Sequence, residues 1–126
     1  LKSLMIFICM FFFLQAEAHS CDCLNKVHFL CILAEAELDQ AYFKEVKDIA
    51  YYHGRVDAMG TAYFQIQQSV GLCQCVRIVT KLRDKAENQL DHVERYSHWA
   101  PDTWYWIGSL NAYYEIIEVL SANSTI

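Results

Sequence analysis

Apolar residues recur along this chain at threes and fours, the spacing of one face of an α-helix. The first stripe is Leu24, Val27, Cys31, Ala34, Leu38 and Ala41, resumed by Val46 and Ile49. Glu35, Glu37, Asp39, Lys44, Lys47 and Asp48 fall on the other side. The pattern predicts an amphipathic helix over residues 24–52, broken at Gly54. Glycine costs about 1 kcal/mol against alanine inside a helix. A second stripe, Val56, Met59, Tyr63, Ile66, Val70 and Cys73, predicts a second helix, weakened at Gly60. One continuous helix over 24–69 is the competing reading. Two helices are preferred, because so long a helix leaves too little chain to cover its apolar face.

Gly71 and the Cys73-Gln74-Cys75 segment predict a joint. The third stripe is Val76, Val79, Leu82, Ala86, Leu90 and Val93, ending near Tyr96 with a charged outer face. Pro101 disfavours helix at Ala100 and suits the first turn of a new one, with Asp102 and Thr103 as capping oxygens. The fourth stripe is Trp104, Ile107, Leu110 or Asn111, Tyr114, Ile117 and Leu120, before a polar tail. Strand alternation never persists beyond a few residues. The fold expected is all-α, a small disulfide-stabilised antiparallel bundle of about four helices.

The beginning of the chain breaks the amphipathic rule. Residues 5–14 are an unbroken apolar run, preceded by Lys2 and followed by Ala16-Glu17-Ala18. A cation, a short apolar stretch and an A-x-A exit are the parts of a secretory signal peptide. The run is too short to span a bilayer, which takes about 20 residues. Residues 1–18 are therefore expected to be a cleaved leader and 19–126 a single secreted, extracellular helical domain. The chain opens on Leu1 rather than methionine, so a few more leader residues are expected upstream.

Export changes how the cysteines read. Cys9 leaves with the leader, and Cys21, Cys23, Cys31, Cys73 and Cys75 remain. In an oxidising compartment thiols pair, and small domains use bridges to supplement a modest core. Two bridges are expected between the Cys21/Cys23 segment, with Cys31 near, and the Cys73/Cys75 segment, each stabilising by roughly 3–4 kcal/mol. On the expected boundaries the first helix is the longer by roughly 20 Å at 1.5 Å per residue. That places Cys31 rather than Cys23 level with the second pair, so the pairing stays open. The odd thiol is a buried free cysteine, a bridge joining two copies, or the sign of a different cleavage site. Metal binding is disfavoured, because C-x-C lacks the spacing of a zinc knuckle.

The net charge of −5 and the lack of a cationic cluster argue against nucleic acid and anionic membranes. His19, His28, His53, His92 and His98 show no partner spacing for catalysis, and no nucleophile, phosphate or metal motif occurs. The chain is read as a non-enzyme without a cofactor. Aromatics carry the functional expectation. Trp99, Trp104, Tyr105 and Trp106 crowd around Pro101, with Tyr113 and Tyr114 beyond, while Tyr51, Tyr52 and Tyr63 lie near the first expected joint. Both groups are expected at the bundle end opposite the cysteines. Core packing is the plain reading. Otherwise they form a contact surface for an extracellular protein partner, or a pocket holding a small hydrophobic ligand between the helices. Asn123-Ser124-Thr125 is a glycosylation sequon.

Overall fold

The computed structural model describes residues 22–69, 74–97 and 100–122. The expected leader, Cys21, Cys73, Trp99 and Asn123 lie outside the described residues. Those described form four helices and no strand: α1 (Cys23–Ala41), α2 (Val46–Gln68), α3 (Cys75–Tyr96) and α4 (Ala100–Ala122). The all-α bundle read from the periodicity is the fold observed. Among the described residues no helix is long and apolar enough to cross a membrane.

The first joint is not where glycine suggested. It falls over residues 42–45, where the Lys44 amide bonds back to the Ala41 carbonyl and Glu45 turns extended. The Asp48 and Ile49 amides then bond to the Glu45 carbonyl and start α2. Tyr42-Phe43-Lys44-Glu45 contains neither glycine nor proline, so nothing local announces the turn. Gly54 instead lies buried inside α2. The α2–α4 packing is the most extensive in the molecule, and its two axes approach closely. A Cβ at Gly54 would sit 1.9 Å from the Tyr105 carbonyl oxygen, and one at Gly108 would sit 1.9 Å from that of Tyr51. Each glycine leaves room for the backbone of the other helix. The Ser109 hydroxyl donates across the crossing to the Gly54 carbonyl at 3.0 Å.

The same crossing corrects the face expected of α4. Its buried positions are Gly108, Ser109, Ala112, Tyr113, Ile116 and Leu120. Of the stripe read from the sequence only Leu120 is among them, and Trp104, Asn111 and Tyr114 are exposed. This helix is apolar on nearly every side, so hydrophobicity alone does not select a face. Small residues do, because they permit the close approach. In the other helices the phase is as read, with Val27, Ala34, Leu38 and Ala41 buried on α1, Met59 and Ile66 on α2, and Val79, Leu82 and Ala86 on α3. Val46, at the start of α2, and Val76, at the start of α3, are exceptions and are exposed.

The shorter α1 also resolves one cysteine. Cys23, not Cys31, is level with the start of α3 and forms a disulfide with Cys75, their Cα atoms 6.5 Å apart. The bridge spans 52 residues. Closing a loop of that length stabilises by about 4 kcal/mol in the chain-entropy picture. Cys31 is a free, half-buried thiol.

Candidate functional site

The aromatics do not form one cluster. The α1–α2 turn and the first turns of α4 bring Tyr51, Tyr52 and Trp104 together. The Tyr51 ring meets Tyr52 edge-on at 5.1 Å and Trp104 at 6.5 Å. Lys44 lies 5.7 Å over the Tyr52 ring and Lys47 lies 5.9 Å over Trp104. Asn111 donates to the Tyr51 hydroxyl at 3.0 Å, and Tyr42 packs edge-on against His53. This end therefore carries an aromatic group pinned by cations and one amide. In the turn stands Phe43, 94 % exposed, next in sequence to exposed Tyr42, and Val46 and Trp104 at this end are exposed as well. Phe43 and Tyr42 were missed in the sequence reading. A helix running through residue 43 made them ordinary helical positions, and only the true joint puts them in a turn.

The remaining expected site residues are dispersed. Tyr113 is buried in the core. Tyr114 donates to Glu87 at 2.6 Å on the outside of the α3–α4 contact, with Arg83 over its ring. Trp106 packs against Tyr105 and the core. Tyr63 lies far along α2 from the first joint and meets the His28 ring at 5.3 Å. With the joint moved back to residues 42–45, Tyr63 is roughly 25 Å from the start of α2 at 1.5 Å per residue.

A second feature lies across α2. An open groove of about 720 Å³ has Gly60 on α2, with His28, Cys31 and Glu35 of α1 on one side and Tyr105 of α4 on the other. Tyr63, Phe64 and Asp57 complete its aromatic and acidic walls. A Cβ at Gly60 would meet nothing within 4 Å. The Tyr105 hydroxyl donates to Asp57 at 2.5 Å. Burial, then this hydrogen bond and the Asp57 charge, hold the Tyr105 phenol well above its ordinary range. The Cys31 thiol is pushed up to about 11 by burial and the nearby Glu35 carboxylate. At neutral pH it is protonated and weakly nucleophilic, since the thiolate is the reactive form.

Behind the groove, Arg55 is 8 % exposed in the middle of α2. It donates to Glu115 of α4 and lies 3.8 Å from Glu37 of α1. Burial pulls its pKa down, and the hydrogen bond and charge of Glu115, with Glu37, more than reverse that. Arg55 thus stays charged and ties three helices together. Its Nε is buried without a hydrogen-bond partner. No single stretch of sequence could announce this network, whose members lie on three helices. Among the described residues no three His, Cys, Asp or Glu side chains converge as a metal site requires.

Comparison with protein-family models, curated proteins and solved structures finds no match.

Proposed function

We propose that this chain is an exported, non-enzymatic binding protein, an antiparallel bundle freed of its leader, that acts by protein–protein contact at the Phe43 end. The observation that carries the reading is the near-complete exposure of Phe43 among exposed Tyr42, Val46 and Trp104. A fully exposed phenylalanine forgoes about 1.5–3 kcal/mol that burial would recover. Here no element of the described fold buries it, so an apolar socket on an extracellular partner is the natural recipient. Aromatic anchors inside a polar rim are the usual centre of such contacts, and Lys44, Lys47 and Glu45 supply the rim. The test places a photo-crosslinking amino acid at Phe43 and, as control, at Asn88 on the exposed face of α3. Incubated with the extracellular fluid of the source, the Phe43 probe should give a discrete adduct that the Asn88 probe does not. Equal yields from both, or none from Phe43, would end the reading.

A second reading has its own observation. The groove across α2 has the volume of a small-molecule site, typically about 300–1,000 Å³, which favours a carrier of a small hydrophobic ligand. The groove is open rather than closed, so such a ligand would stay partly exposed.

A further inference from the structure

The lining of that groove goes beyond the carrier reading, on which this inference rests, because it selects a charge. Two carboxylates, Glu35 and Asp57, face it, and among its lining residues there is no lysine or arginine. Aromatic rings line the same groove: Tyr63 beside His28, Phe64 more than half exposed, and Tyr105. The quadrupole of such rings attracts a cation at their faces. The Asp57 carboxylate is held toward Tyr105 by one hydrogen bond, and a carboxylate retains further lone pairs for an N–H donor. Gly60 opens the space an apolar body would fill. The Cys31 thiol, protonated at neutral pH, adds neither charge nor a reactive nucleophile. An anion would meet two like charges here, and a neutral oil would neutralise neither of them.

We propose that the α1–α2–α4 groove binds small organic ammonium ions carrying an aromatic body, the ammonium set against Asp57 and Glu35 and the ring against Tyr63, Phe64 and Tyr105. The experiment titrates the whole protein by calorimetry with three probes of one shape: phenethylammonium, phenethyl alcohol and hydrocinnamate. The ammonium ion should bind at least about tenfold more tightly than the alcohol, as expected of a cation–π contact joined to a charge-assisted hydrogen bond, and hydrocinnamate weakest. Asp57→Asn, which still accepts from Tyr105, should remove most of the ammonium preference and leave the alcohol unchanged. Gly60→Phe, whose ring enters open space, should block all probes without unfolding the protein. Equal affinity for the ammonium and the alcohol would overturn the charge selection while leaving the carrier reading intact. Binding that survives Gly60→Phe would overturn the site, and failure of every probe would overturn both.

Discussion

Adding one methyl group at Gly54 should weaken the fold, while adding the same group at Gly60, further along the same helix, should strengthen it. At Gly54 the new Cβ lies 1.9 Å from the Tyr105 carbonyl oxygen, 2.9 Å from its carbon and 3.0 Å from the Ser109 nitrogen. An ordinary carbon–oxygen contact is about 3.3–3.6 Å, so α2 and α4 must part by more than about 1 Å. The obstacle is backbone on a packed helix, which cannot swing aside as a side chain would. Overpacking of this kind costs about 1–3 kcal/mol, and the upper end applies. Alanine's better helix propensity returns about 1 kcal/mol. The net loss is about 2 kcal/mol for Gly54→Ala. At Gly60 no atom lies within 4 Å, so only the propensity gain of roughly 0.5–1 kcal/mol remains. For a domain of this size about 4–8 °C accompanies each kcal/mol. Thermal melts followed by far-ultraviolet circular dichroism should show Gly54→Ala lower by about 10 °C and Gly60→Ala higher by about 4 °C. Gly108→Ala should resemble Gly54→Ala, and the double variant should cost less than the two singles together, because one separation relieves both clashes. The reasoning would be refuted if Gly54→Ala were neutral or stabilising, or if the two alanines moved the midpoint in the same direction.

Removing the Cys23–Cys75 bridge as the double serine variant should cost about 4 kcal/mol of unfolding free energy in urea titration; a loss below about 1 kcal/mol would show that the bridge does not constrain the unfolded chain. Arg55→Ala should cost about 3 kcal/mol, since it leaves Glu37 and Glu115 facing a vacated buried position. The combined Arg55→Met, Glu37→Gln, Glu115→Gln variant should recover part of that loss, and no recovery would argue against an electrostatic origin. Phe43→Ser should change stability by less than about 0.5 kcal/mol while abolishing the adduct from a photo-crosslinking amino acid placed at the neighbouring exposed Tyr42, and a large drop in melting temperature would mean that Phe43 packs within the fold. Cys31 alkylation should be slow at neutral pH and climb about tenfold per pH unit toward 11, whereas a plateau near pH 9.0, the ordinary thiol value, would contradict its burial. The same shift makes folding favour the protonated thiol. Its stabilising contribution is present below the unfolded value of 9.0 and is lost as pH rises through about 11.

The sequence by itself determined that the chain is helical, that four helical segments exist, and which residues of the first three chiefly face inward. Periodicity is a local property, and burial in a bundle follows it. Val27, Ala34, Met59, Ile66, Val79 and Leu82 are buried as their spacing requires. The sequence did not locate the first joint, because Tyr42-Phe43-Lys44-Glu45 carries no breaker while Gly54 imitates one. Only the tertiary structure decided what Gly54 is for, since its reason to be glycine is the Tyr105 carbonyl of another helix. From that one displacement follow the pairing of Cys23 rather than Cys31, the exposure of Phe43 and the removal of Tyr63 to the groove. Tertiary contact also chose the face of α4, where apolar residues on every side left small size, and not hydrophobicity, to select the crossing. The Arg55–Glu37–Glu115 network belongs to the same class. Charges on three helices meet only once the helices are packed, and no spacing along one chain segment encodes that meeting.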